Sequence, residues 1–178
     1  VYTYTVTTTG ALCDSATITG SITLLPKETI SLASGSGAKD QEVCAGSALS
    51  NPIVFELTGG STNFQFNWDT ANPGFLPGPL TASLTVTLSG TPTAAGITQT
   101  TEYPYTINTL GNGCGTSTIT GIITVHPVPS ITVSGTNQSQ IGNDGVCSGS
   151  NIEPIEFSVS PVTIGGVPTT AVISWTTP

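Results

Sequence analysis

Residues 105–127 read YTINTLGNGCGTSTITGIITVHP, and residues 4–26 read YTVTTTGALCDSATITGSITLLP. Aligned without a gap at an offset of 101, Tyr4 falls on Tyr105, Cys13 on Cys114, Gly20 on Gly121 and Pro26 on Pro127. Apolar and hydroxyl-bearing residues alternate on both sides of the central Gly/Cys turn. Alternation with period two, with β-branched threonine on the wet face, predicts a pair of antiparallel strands in each stretch. The register continues outward. Ile30 falls on Ile131, Cys44-Ala-Gly-Ser on Cys147-Ser-Gly-Ser, Pro52-Ile-Val-Phe on Pro154-Ile-Glu-Phe and Trp68 on Trp175. Small changes of offset place insertions in loops, where they are tolerated.

A repeat of about 100 residues is the size of one β-sandwich domain. Residues 1–26 are then the last two strands of one repeat, residues 27–126 a complete repeat, and residues 127–178 the first three strands of another. A lone two-stranded hairpin is marginal in water, so neighbouring repeats or neighbouring chains are expected to complete both ends. Seven strands are predicted for the complete repeat, near 29–34, 52–58, 62–68, 73–78, 81–89, 101–109 and 116–125. Their inward sets include Ile53, Phe55 and Leu57; Phe64, Phe66 and Trp68; Ala82, Leu84, Val86 and Leu88; Tyr103, Tyr105 and Ile107; and Ile119, Gly121, Ile123 and Val125. By the same alternation, Tyr2, Tyr4 and Val6 point inward. Such strands pack as two face-to-face antiparallel sheets. The fold class expected is all-β, with immunoglobulin-like sandwiches in tandem. Trp68 and Trp175 are the expected core anchors, and a tyrosine of the sixth strand (Tyr103 or Tyr105) is a candidate for a corner hydrogen bond.

Composition narrows the function. Of 178 residues, 10 are acidic and only Lys27 and Lys39 are basic, for a formal net charge of −8. With no basic patch to neutralise phosphates, nucleic-acid binding is not expected. Thirty-three threonines and 19 serines replace the usual charged residues, which excludes coiled coils and helical bundles. No apolar run approaches the ~18 residues of a membrane span, so no membrane insertion is expected, and no signal peptide opens the chain. Neither a nucleophile–histidine–acid set, a metal cluster nor a phosphate loop stands out, so no enzymatic activity and no cofactor are expected. Asp40 with Glu42, or Asn143-Asp144-Gly145, is the nearest approach to a calcium ligand set, but the acids lie scattered. His126, the only histidine, sits in the linker His126-Pro-Val-Pro; with Leu25-Pro-Lys this makes short joints stiffened by proline.

The succession Cys-x-Gly-Ser, a strand, a tryptophan strand, Tyr-Thr-x-x-Thr, Gly-Cys-Gly and Thr-x-x-x-Pro resembles the PKD-like and immunoglobulin-like tandem repeats of very large bacterial cell-surface proteins. Gliding-motility adhesins of the SprB type, exported by type IX secretion, are an example. The resemblance spans the whole chain. It implies an extracellular stalk or filament of stacked domains whose partners are neighbouring repeats, with adhesion supplied by distal modules. In exported proteins of such bacteria, Asp-Ser/Thr-apolar tripeptides carry O-linked glycans. Asp14-Ser15-Ala and Asp69-Thr70-Ala match that pattern, which makes Ser15 and Thr70 candidate attachment sites. Asn137-Gln-Ser forms an N-linked sequon, relevant to a eukaryotic secretory host.

The four cysteines, Cys13, Cys44, Cys114 and Cys147, suit disulfides in an oxidising extracellular setting. Their spacing does not suit zinc. Two pairings stay open. Cys44 and Cys114 could join within one domain if Cys44 folds back over the sheet; otherwise Cys44 pairs with the Gly-Cys-Gly loop of the following repeat, stapling the joint. The leading function is therefore a structural spacer of a surface adhesin. The alternative is a carbohydrate-binding sandwich that recognises surface glycans through an exposed aromatic, for which Phe75 in Gly-Phe-Leu-Pro is the candidate.

Overall fold

The computed structural model describes residues 1–10, 14–111, 114–134, 147–150, 155–161, 163–164 and 166–174. Every regular element among them is a strand. They run β1 (Tyr2–Thr7), β2 (Thr17–Ile22), β3 (Thr29–Leu32), β4 (Gln41–Cys44), β5 (Ile53–Thr58), β6 (Ser61–Trp68), β7 (Phe75–Pro77), β8 (Thr85–Gly90), β9 (Thr101–Gly111), β10 (Thr118–His126), β11 (Ser130–Ser134), β12 (Glu156–Ser160), β13 (Thr163–Ile164) and β14 (Val167–Pro168).

Strands β3 to β10 form two four-stranded sheets, ordered β3-β5-β8-β7 and β4-β10-β9-β6. All pairings in them are antiparallel except that of β4, which runs parallel to the end of β10. Alternate residues of both sheets fill the space between. Ile53, Phe55, Leu57, Phe75, Val86 and Leu88 meet Tyr105, Ile107, Ile123 and Val125, and each is at most 1% exposed. This is the two-layer solution that period-two strands require to bury one face each. Phe64, Phe66 and Trp68 face the same core but are only half-buried, because β6 is the edge of its sheet.

Four expectations change. The four-residue β4 was not foreseen; it is short, and its single buried apolar residue is Val43. Its membership is decided by the N–H and C=O groups along β10, not by its own pattern. The strand near 81–89 begins only at Thr85. Thr81–Leu84 is a turn in which the Leu84 N–H donates to the Thr81 carbonyl at 2.9 Å, with Leu84 at φ 56°, so Ala82 and Leu84 do not share a strand face with Val86. Tyr2, Tyr4 and Val6 alternate as foreseen but remain 48–65% exposed, since no second sheet covers β1–β2 among the described residues. Finally, Tyr105 makes no corner bond to the chain just upstream. Its hydroxyl donates across the sheet to the Lys39 carbonyl at 2.7 Å.

The hairpins at the two ends repeat the registers of the central domain. Tyr2, Tyr4 and Val6 of β1 oppose Ile22, Gly20 and Ile18 of β2; Tyr103, Tyr105 and Ile107 of β9 oppose Ile123, Gly121 and Ile119 of β10. Likewise, Ile131 and Val133 of β11 oppose Val159 and Phe157 of β12, as Ile30 and Leu32 of β3 oppose Leu57 and Phe55 of β5.

Candidate functional site

The two ends of the central sandwich, where the chain enters and leaves, hold most of its specific polar chemistry. β3 starts at Thr29 beside Thr58, on the side of the β9–β10 turn, and β10 ends at His126 on the other side. At the exit, β4 pairs with the last residues of β10, so Cys44 lies opposite His126. The Ala45 N–H donates to the His126 carbonyl at 2.8 Å, and the Gly46 N–H to the Pro92 carbonyl at 2.9 Å. These bonds carry the β4 edge over the bottom of the core.

His126 is only 7% exposed. Its Nε2 lies 2.9 Å from Glu42 Oε2 and its Nδ1 lies 3.0 Å from Thr100 Oγ1. One tautomer satisfies both contacts: Nε2–H donates to the carboxylate and Nδ1 accepts from the threonine hydroxyl. The sequence places His126 in a proline linker. It is instead the last residue of β10, a clamp joining β4, β10 and the segment before β9. The signal for this was slight, a histidine closing an alternating strand where the aligned position holds Leu25. The order hydroxyl–imidazole–carboxylate is also that of hydrolytic triads. In those, however, the acid is buried and the hydroxyl faces substrate. Here the Glu42 side chain is 72% exposed and the imidazole 9%, which suits a structural clamp.

At the start of β4, Asp40 caps the β10 edge. Its Oδ1 accepts the Ile122 N–H at 2.9 Å, and Lys39 Nζ donates to its Oδ2 at 2.6 Å. The Lys39 bond holds the Asp40 carboxyl below the ordinary 3.8; partial burial opposes this, and the Ile122 N–H adds to it. A carboxylate with a depressed folded-state value stabilises the fold fully above its unfolded value and loses that contribution as pH falls through the folded one. Asp40→Asn keeps an acceptor for Ile122 but loses the charge. Wild type is therefore expected to exceed the variant by up to ~1 kcal/mol at pH 6, the range of exposed ion pairs. The gap should close as pH falls below 3.8, and urea titrations at several pH values would measure it. Glu42 and Asp40, the described half of the candidate calcium set, are thus engaged with His126 and with Lys39 and Ile122; Asn143-Asp144-Gly145 lies outside the described residues.

Trp68 and Tyr105 come together in the core, edge to face with ring centroids 5.6 Å apart, and Phe66 stacks on Tyr105 at 5.5 Å. Trp175 and Cys13 lie outside the described residues, as does Asn137. Ser15 and Thr70 are both exposed, as glycan attachment requires. The structure bears on one of the two cysteine pairings. Cys44, Cys114 and Cys147 are exposed and no disulfide joins them to one another. Cys44 sits opposite His126, whereas Cys114 precedes Thr118 at the other end of β10. Eight strand steps at ~3.3 Å separate these ends by ~26 Å, far beyond the ~7 Å that a disulfide bridges. The pairing of Cys44 with Cys114 within one domain is therefore excluded.

Phe75 is a correction. It was expected to be exposed and available for a sugar, but it is fully buried. Asn72 Oδ1 accepts the N–H groups of Gly74 and Phe75 at 2.8 and 3.0 Å. Gly74, at φ 116°, then turns the chain so that Phe75 points between the sheets, 6.4 Å from Trp68. No helix among the described residues is long and apolar enough to cross a membrane. No family model matches the chain, and no curated protein matches it.

Proposed function

We propose that this chain is a spacer segment of a large extracellular bacterial adhesin or surface filament, built of stacked immunoglobulin-like sandwiches and serving surface attachment or gliding. The observation that carries this reading is the repetition of register. The β1–β2 pair duplicates β9–β10 residue for residue, and β11–β12 duplicates β3–β5. A structure made of one unit used again and again is what a stalk needs. The chain enters the central domain at one end and leaves at the other, and Pro127 is buried directly after the clamped His126. Both features favour a stiff linear succession of domains over a folded-back one. The burial of Phe75 removes the aromatic on which the carbohydrate-binding alternative rested.

Electron micrographs of the parent surface protein test this. A filament of beads with one bead per ~35–40 Å is expected, the length of the 11-residue β9 at ~3.3–3.4 Å per residue. A compact particle without axial repeat would overturn the reading. Within this reading Cys44 is proposed to pair with the Gly-Cys-Gly loop of the following repeat, which its distance from Cys114 favours over a bond within one domain. Mass mapping of a non-reduced tandem polypeptide is expected to find that linkage and none within a single repeat. Fully reduced cysteines in the natively exported protein would sink the staple while leaving the stalk in place.

A further inference from the structure

The two sheets of the central sandwich end in the edge strands β3, β7, β4 and β6. β3 and β4 have four residues each and β7 has three; β4 carries Glu42 and β7 carries Pro77. β6 has eight residues and contains neither a charge nor a proline. Shortness, charge and proline are what keep a sheet edge from pairing with another strand. The main-chain groups of β6 divide between its two sides. The Asp69 N–H donates to the Pro104 carbonyl of β9, and in an antiparallel ladder alternate residues bond to the same neighbour. Gln65 and Asn67 therefore bond to β9, while Phe64, Phe66 and Trp68 present their N–H and C=O groups at the edge. The Phe64 N–H donates to Asn63 Oδ1 at 2.9 Å, a local substitute for a strand partner. The bulge between Ser61 and Asn63 leaves Asn63–Trp68 as the regular stretch.

Within that stretch, Asn63-Phe64-Gln65-Phe66-Asn67 reads the same in both directions. Turned about a two-fold axis at Gln65, the strand meets its own copy antiparallel with like opposite like: Asn63 by Asn67, Phe64 by Phe66, and Gln65 by Gln65. This register sets the edge N–H and C=O of Phe64 against those of Phe66, so each donor finds an acceptor. The faces match as well. Phe64 and Phe66 are half-buried on the core side, and Asn63, Gln65 and Asn67 are exposed on the outer side. An amide side chain both donates and accepts, so it pairs with its own kind. Asp69 falls opposite Ser61, and no acid meets an acid in a chain of net charge −8. The aligned stretch of the following repeat, Thr170-Ala-Val-Ile-Ser174, has no such symmetry, so the palindrome is not a by-product of the fold.

We infer that β6 is a self-recognition edge: two copies of this chain join β6 to β6, antiparallel about Gln65, and their two four-stranded sheets become one continuous sheet. A two-fold interface requires a surface complementary to itself. The palindromic, uncharged edge meets that requirement, which selects a second copy over an unrelated extended segment. The contact closes at two copies. Neighbouring repeats of one chain adjoin the ends of the sandwich, where the chain enters and leaves, and β6 runs between those ends; in this alone the inference rests on the stalk reading. Stalks joined this way run in opposite directions, the geometry of contact between two facing surfaces.

Sedimentation of the whole chain between ~1 and ~200 µM, with thiols blocked to exclude disulfide links, tests this by charge exchange at the axis. The average mass is expected to rise with concentration from the 18.0 kDa of one chain to twice that value and to stop there. Gln65→Lys and Gln65→Glu each set like charges face to face and should shift association to at least ~10-fold higher concentration. An equimolar mixture of the two sets opposite charges face to face and should associate at least as tightly as wild type, which also shows that both variants fold. Thr120→Lys, on the exposed face of β10, should associate like wild type. Hydrogen exchange gives a second reading: the Phe64 and Phe66 amides should slow by at least ~10-fold between the lowest and highest concentrations. A wild-type chain that stays at 18.0 kDa overturns the pairing, as does growth past two copies. So do Gln65 variants that associate like wild type, a mixture that stays monomeric, or a dimer in which the two amides exchange unchanged. A monomeric result would leave the filament spacing of the parent protein untouched, so edge pairing and stalk fail separately.

Discussion

Tyr105→Ala is expected to cost ~3–5 kcal/mol, the range for deleting a buried aromatic and a large part of the ~5–15 kcal/mol that holds a domain together. The ring is fully buried and touches Phe55, Phe66 and Trp68. Removing it leaves a cavity at the meeting point of both sheets. Its hydroxyl also bonds β9 to the segment before β4, through the Lys39 carbonyl. Tyr105→Phe keeps the ring and should cost ~1–2 kcal/mol, the range for leaving one partly buried hydrogen-bond partner unmet. Burial, and secondarily the negative charge of Asp40, keeps the hydroxyl protonated far above the ordinary tyrosine range, so this bond survives in alkaline buffer. Urea unfolding followed by tryptophan emission measures both variants. The control is Tyr4→Ala at the aligned position, where the side chain is 48% exposed and the central domain should change by less than ~0.5 kcal/mol. Equal losses at 4 and 105 would contradict the packing described.

Gly121→Ala is the second large effect. A methyl group on Gly121 would come within 2.5 Å of the Lys39 carbonyl and would also strike the Tyr105 hydroxyl and ring. A backbone carbonyl cannot swing aside as a flexible side chain does, so β4 or Tyr105 must be displaced. The expected loss is at least ~2–3 kcal/mol, the upper range for overpacking a close-packed site. Gly20→Ala is the informative partner. There the atoms nearest the methyl belong to the ring and hydroxyl of Tyr4, which is half exposed and free to move, and less than ~1 kcal/mol is expected. Thermal melts of both variants, with Tyr105→Phe added to Gly121→Ala, would show whether the hydroxyl or the carbonyl is the harder obstacle. Recovery of most of the loss in the double variant would assign it to the hydroxyl. We expect little recovery, because the carbonyl stays in place.

Much of the sandwich was legible in the chain. The inward sets of β5, β9 and β10 were read correctly from alternation alone, as was the opposite placement of Cys44 and Cys114. The features that escaped share a cause. β4 has only four residues and one buried apolar side chain, so its place depends on the unpaired edge of β10, some 80 residues away. Phe75 carries the same Gly-Phe-Leu-Pro surroundings whether it points in or out; the Asn72 side chain and the gap beside Trp68 turn it inward. Leu84 alternates with Val86 in the sequence, but the Thr81–Thr85 bonds fold that stretch into a turn. His126 looked like a linker because its partners, Glu42 and Thr100, are distant in sequence and show no motif.

Tyr4 and Tyr105 mark the boundary between the two kinds of information. Both are followed by threonine, both face a glycine on the neighbouring strand, and both were placed inward by period two. Local sequence determined that much: strand, register, and which side chains share a face, since each follows from alternation and from the aligned turn. Whether that face is dry was decided only by tertiary structure. Burial needs a second sheet, and the second sheet is supplied by residues far along the chain. Tyr105 has Phe55 opposite it and no exposed surface; Tyr4 has the same strand beneath it and half its surface in water.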